Sequence, residues 1–215
     1  DFFFNKEPTS HTHERDNGEH IDFKDIRLYM QSFRKQNLNF IEILFTKYKI
    51  INPLYADLWQ KLIDTREDIV NYDKAQALKS MQGVAKKKYF AMEHEYPSKI
   101  DILKQYGYDP KQLHHLLRVQ DFIFRYINNE YYEDCMIPKN ADFLLEVKRG
   151  KYNLEEARFV GLRAIEAIDK IVEQMLPTYK EQGKLHYVDT LLDDIQYKIM
   201  KKSVTLELNI KEKNT

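Results

Sequence analysis

Polar and apolar positions change their period once along this chain. Near the start stand two short β-type runs, Phe2 to Phe4 and His20 to Phe23. Between them NKEPTSHTHERDNG, rich in Pro, Ser, Thr, Asn and Gly, predicts an exposed loop over 5–18. From Lys24 on the spacing becomes helical. Ile26, Tyr29, Met30 and Phe33 fall at i, i+3, i+4 and i+7, and Phe40, Ile43 and Leu44 turn one way in a second short helix over 39–46.

Capping residues place the later helices. Asn52-Pro53 is an N-cap followed by a Pro where no amide proton is needed, and starts a helix to about Asp64. A longer one covers about 72–93; Gly83 in its interior is costly enough to imply close packing against another element or a ligand. Asp109-Pro110 repeats the cap-plus-Pro device and opens an amphipathic helix over 109–128, after a turn at Gly107. A short helix over 141–149 ends at Gly150, which accepts the left-handed conformation. Asn153 and Glu156 form a capping box for a helix running to about Met175, before Pro177. A last amphipathic helix spans 185–201, and the polar tail beyond it is expected to fray. The expected class is α+β, mostly α, with β structure confined to the start. No internal repeat or low-complexity block interrupts the pattern.

Composition narrows the function classes. The chain has 215 residues, with 34 basic and 34 acidic side chains and no formal net charge, so any anion site must be local. The lone Cys135 excludes an intramolecular disulfide framework and a Cys-rich zinc site. No apolar run approaches the ~18–20 residues needed to span a bilayer, and the start lacks a signal-peptide pattern, which predicts a soluble, cytoplasmic protein without membrane contact. The opening on Asp1 and an apolar β-type run leads us to expect sequence upstream.

On the helix over 109–128, Lys111, His115 and Arg118 stand at i, i+4 and i+7 and share one stripe; Leu113, Leu116, Leu117 and Phe124 make the opposite, core-facing one. Near a helix N-terminus such a stripe is suited to phosphate: a point charge from Lys, a planar fork from Arg and a titratable donor from His. By periodicity alone the ordinary reading is a solvated outer face.

The residue string adds to this. Tyr106-Gly107-Tyr108-Asp109 followed by Lys111, His115 and Arg118 resembles the YGYD-x-K-x-x-x-H-x-x-R signature of predicted nucleotidyltransferases of phage and bacterial type, in the DNA polymerase β-like superfamily. In the same order, Phe33 with 36–45 resembles that family's KFL…GNPNVLELLF stretch, though Leu38 stands where the family has Pro. Residues 80–86 (SMQGVAK) resemble its YRGYAKRQ helix, and 142–156 (DFLLEVKRGKYNLEE) its ELLLEIRRGEYSLEE segment. The likeness covers about residues 20–175.

The resemblance implies a metal-dependent transfer of a nucleoside monophosphate from a nucleoside triphosphate to an acceptor hydroxyl, with RNA as one possible partner. Mg²⁺ or Mn²⁺ would be held by carboxylates of a small sheet. Asp22 stands where the family's third carboxylate would be and is the implied catalytic metal ligand, with Asp25 as either a substitute or the N-cap of the following helix. Lys111, His115, Arg118, Tyr106 and Tyr108 are the implied nucleotide- and phosphate-binding residues. The family's Gly-Ser turn and Asp-x-Asp pair do not occur in residues 1–21, so these 215 residues alone are expected to be inactive. The implied layout is the remnant of a catalytic domain over 1–46, a helical nucleotide- or acceptor-binding domain over 47–201 and a polar tail over 202–215. The alternative is an inactive nucleotide- or RNA-binding helical module.

Other candidates are weaker. His11, His13 and His20 form a loose metal-type set without a fixed fourth ligand. One of Lys86, Lys87 and Lys88 could face a nucleotide. Lys148, Arg149 and Lys151 read as either a phosphate contact or ordinary helix-end charge. Tyr89 and Tyr96 could stack on a base, with packing as the default, and Cys135 reads as a small buried residue.

Overall fold

The structure is a computed structural model. It describes residues 7–17 and 19–213, the last seven of them by backbone alone. The run Phe2 to Phe4 lies outside the described residues.

An antiparallel hairpin of β1 (Ser10–Glu14) and β2 (His20–Lys24) comes first. The strand expected at His20 to Phe23 is present, but its partner forms inside the segment expected to be loop. Every residue of β1 is exposed, so no buried face left an alternating pattern to read. Ladder pairing holds it, with His11 stacked on Phe23 at 4.8 Å between ring centroids.

The remaining described residues are helical with short connections. In order they form α1 (Ile26–Arg34), α2 (Leu38–Ile41) running into a 3₁₀ turn, α3 (Ala56–Asp64), α4 (Arg66–Val70) and α5 (Lys74–Phe90). Then come α6 (Ile100–Tyr106), α7 (Pro110–Ile127), α8 (Tyr132–Met136), α9 (Ala141–Lys148), α10 (Leu154–Gln182) and α11 (His186–Lys213). The protein is α+β, mostly α, with its two-stranded sheet ahead of the helices.

The caps form where their residue types predict. Asp25 accepts the Arg27 amide at 2.8 Å and Asp109 the Lys111 amide at 2.9 Å. Asn153 and Glu156 bond reciprocally in a capping box. Asp25 is therefore the N-cap of α1; it also holds the Arg27 guanidinium, which keeps its carboxyl below the usual range.

Two helix ends differ from expectation. The helix begun at Leu154 passes through Pro177 and ends at Gln182. Pro177 is exposed, so the carbonyl that loses its amide partner faces water. Tyr179 beyond it is buried at 4% exposure, which anchors the final turn. The tail expected to fray is the second half of α11, which is helical to Lys213.

The chain divides into two compact units, residues 1–73 with 184–215, and residues 74–183. These divisions do not coincide with the expected boundaries at 46/47 and 201/202. In the first unit α11 returns to α1 and α3. Val188, Leu192 and Ile195 are fully buried, and Arg34 reaches Asp189 at 3.0 Å and Asp193 at 2.6 Å. In the second, α7 packs on α5, α9 and α10 through Leu113, Leu116, Val119, Phe122, Ile123 and Tyr126. Phe124, expected on the core-facing stripe, is 41% exposed: a step of 100° per residue carries it past the edge of that face.

Candidate functional site

Within the second unit, α7 presents its polar stripe between α5 and α9. Lys111 is exposed at its start, and His114, His115 and Arg118 are half-buried behind it. Lys88 comes from α5 and Lys148 from the last turn of α9. Burial lowers the pKa of His115 to about 4, and the positive charges of Lys88, Lys111 and Arg118 add to the shift. His114 is lowered by burial and then by Lys148, Arg118 and Lys111. Lys88 is itself lowered by burial and by Lys87 and Lys111, with Asp109 opposing. Cationic groups from three helices thus lie close enough to act on two half-buried imidazoles, and burial favours the neutral form of each.

Two of these charges, Lys88 and Lys111, make no direct ion pair among the described residues. Asp109 at the edge of the cluster is occupied by the Lys111 amide, by Lys99 at 3.3 Å and by Gln112. The same carboxylate caps the N-terminus of α7, so the attraction for an anion comes from the side-chain stripe and not from bare amides of the first turn.

Helical rotation separates the neighbouring lysines. Lys86 pairs with Asp169 of α10 at 2.9 Å, Lys87 is exposed, and Lys88 faces the cluster. Lys151 is committed to Glu146 and lies over the Phe143 ring, whereas the charge of Lys148 acts on His114. His114 was legible only as an ordinary member of its helix, and Lys148 as either a phosphate contact or helix-end charge; packing of α9 on α7 brings the two near one another.

Of the two tyrosines of the YGYD string, Tyr108 belongs to the core. Tyr108 is fully buried and its hydroxyl donates to the Tyr152 carbonyl at 3.1 Å, so its ring has no face to offer a base. Tyr106 is half-buried and lies against Gly150, where a Cβ would fall 2.3 Å from its ring. Gly107 and Gly150 both have positive φ, at 77° and 87°, and set the chain path into α7 and out of α9. The string therefore builds the turn that delivers Lys111 and His115. Of the other aromatics, Tyr89 packs against Gly161, and Tyr96 stands edge-on to His94.

Asp22 belongs to the first unit. It is exposed on β2 opposite Thr12, whose hydroxyl donates to its carboxylate. Among the described residues no group of three or more His, Cys, Asp or Glu side chains could hold a metal, His11, His13 and His20 included. A two-metal centre needs several carboxylate oxygens around each hard cation, and the described residues do not fit one. Cys135 is buried, donates weakly to the Glu130 carbonyl and has its thiol pushed up to about 11 by burial, which removes it as a nucleophile at neutral pH. No helix among the described residues is long and apolar enough to cross a membrane. No protein-family model, curated protein or solved structure matches the chain.

Proposed function

We propose that the second unit binds the phosphates of a nucleoside triphosphate on the stripe of Lys111, His115 and Arg118, with Lys88 and Lys148 at its sides. In this reading the unit is the nucleotide-holding part of a nucleotidyltransferase that passes a nucleoside monophosphate to an acceptor hydroxyl. One observation carries it: cationic groups from three helices converge on His114 and His115, and two of them, Lys88 and Lys111, have no ion-pair partner among the described residues. Folding such charges together is unfavourable unless a ligand offsets it, and a phosphate group supplies both the charge and the acceptor oxygens. His115 would enter neutral and gain a proton as the phosphate arrives. The transferase part of the reading rests on the ordered sequence resemblance.

A second reading is a nucleotide- or RNA-binding module without turnover. It draws on the single, hydrogen-bonded carboxylate at Asp22 and the lack of a metal-type cluster among the described residues.

Equilibrium binding of labelled nucleoside triphosphate, nucleoside monophosphate and a short single-stranded RNA to the 215-residue chain tests both. Triphosphate should bind more tightly than monophosphate. Arg118→Ala should weaken it about tenfold or more, as expected for losing a charge-assisted contact worth ~1.5–3 kcal/mol. Mg²⁺-dependent label incorporation into an acceptor, once the chain is joined to an upstream segment carrying the Gly-Ser turn and the Asp-x-Asp pair, selects the transferase; binding without it selects the module. Failure of all three ligands to bind, or indifference to Arg118→Ala, refutes the site.

A further inference from the structure

The first unit contains a cleft of about 620 Å³ that the phosphate site does not involve. The buried Met30 and Leu62 line it together with Ile26, Ile43, Trp59 and Ile199. Volumes of about 300–1,000 Å³ with mostly apolar walls and a few placed polar groups are typical of small-molecule sites. The loop over 46–52 forms one side. At its tip Tyr48 and Ile50 are 95% and 104% exposed, so neither packs down over the cleft.

Charge at this cleft has one sign. Among the described residues Lys49 is the only formally charged one lining it, with Lys47 beside it on the loop, and neither lysine has an ion-pair partner among them. Inside, Tyr29 is buried enough that its hydroxyl is pushed up to about 12, with desolvation as the sole cause. The Trp59 indole N–H is buried and has no acceptor. Two donors thus stand in apolar surroundings behind a cationic rim.

We propose that this cleft binds an amphipathic carboxylate, its hydrocarbon body between Met30, Ile43, Trp59 and Ile199 and its head group at Lys49. The mostly apolar walls disfavour a nucleotide or sugar as the body of the ligand, since more of its polar groups would lose water than Tyr29, Trp59, Thr46 and Asn52 could satisfy. The absence of an acidic lining residue among the described ones and the presence of Lys49 favour an anionic head over a neutral or cationic one.

The chain has a single tryptophan, Trp59, and it lines the cleft, so its emission reports occupancy directly. The full chain is titrated with dodecanoate, with 1-dodecanol, and with acetate as a head-group control. All titrations stay below micelle-forming concentrations, with a parallel series on anionic phospholipid vesicles. A saturable emission change with dodecanoate, a weaker response to dodecanol and none to acetate is expected. Lys49→Gln should lower dodecanoate affinity about two- to fivefold, as for a partly exposed ion pair, while leaving dodecanol unchanged. Ile43→Phe, which narrows the cleft and keeps it apolar, should reduce binding of both; its circular dichroism checks that the fold persists. The proposal is overturned if dodecanoate gives no saturable change. It is also overturned if Lys49→Gln acts equally on acid and alcohol. A response confined to vesicles overturns it in favour of a lipid-surface contact by Tyr48 and Ile50.

Discussion

The glycines of the second unit provide a quantitative test of how its helices pack around the candidate site. Gly83 stands inside α5 and Gly161 inside α10, and an alanine at either gains helix propensity. At Gly83 an added Cβ meets nothing within 4 Å, so the gain is unopposed: about 0.4–1 kcal/mol of stability. The expectation that this glycine marks close packing against another element is thus not met. At Gly161 the Cβ would lie 2.9 Å from two ring carbons of Tyr89 and 3.5 Å from the Met92 sulfur, in a buried position. Overpacking of that kind costs about 1–3 kcal/mol and outweighs the propensity gain. At Gly150 a Cβ would fall 2.3 Å from the Tyr106 ring at a φ of +87°, which adds backbone strain of about 1–2 kcal/mol to the clash. Thermal unfolding followed by circular dichroism should therefore rise by about 1–4 °C for Gly83→Ala and fall for Gly161→Ala and Gly150→Ala, more for the latter. A lower melting temperature for Gly83→Ala, or three shifts of the same sign, would refute this packing. A Gly83→Ala protein that is stabilised yet loses nucleotide affinity would instead mark Gly83 as the place where a ligand approaches α5.

Other expectations concern the site and its supports. His115, at about 4 in the folded chain against 6.5 when unperturbed, binds fewer protons folded than unfolded between those values. Stability present above pH 6.5 should therefore be lost as pH falls toward 4, with a slope near one proton. Denaturant midpoints measured across that range should show this slope in the native chain and lose it in His115→Asn; equal slopes would contradict the assignment. Phosphate binding should take up a proton over the same window, so nucleotide affinity should strengthen on acidification in the native chain more than in His115→Asn, measured by calorimetry. Lys88→Met should move the His115 titration upward, read from its imidazole proton resonance, and an unmoved resonance would show that Lys88 does not act on the site. Asn153→Ala, which removes one half of the capping box, should cost about 1 kcal/mol in denaturant unfolding; no change would show that the first turn of α10 is held by packing instead.

Much of this protein is determined by local sequence chemistry. Periodicity and caps determine where α1, α7 and α10 begin, because an N-cap side chain and a Pro at the first helical position act within one turn of backbone and need no distant partner. The stripe of Lys111, His115 and Arg118 was legible for the same reason: the step of a helix alone places them on one side. What needed tertiary structure was every feature that depends on residues far apart in sequence. β1 has no buried face to mark it, and its strand character comes from pairing with β2. Helix α10 outlasts Pro177 because Tyr179 is buried beyond it. The segment expected to fray continues α11, whose earlier turns lie against α1 and α3, with Lys202 held by Asp57 at 2.9 Å. Tyr108 carried the same motif as Lys111 yet belongs to the core, since a motif gives spacing and not the direction of a side chain. The charge at His115 is also a tertiary product: Lys88 is 27 positions away and acts on it only because α5 packs on α7. Sequence determined which cationic groups share one helical stripe; the packing of three helices decided which further charges stand beside them.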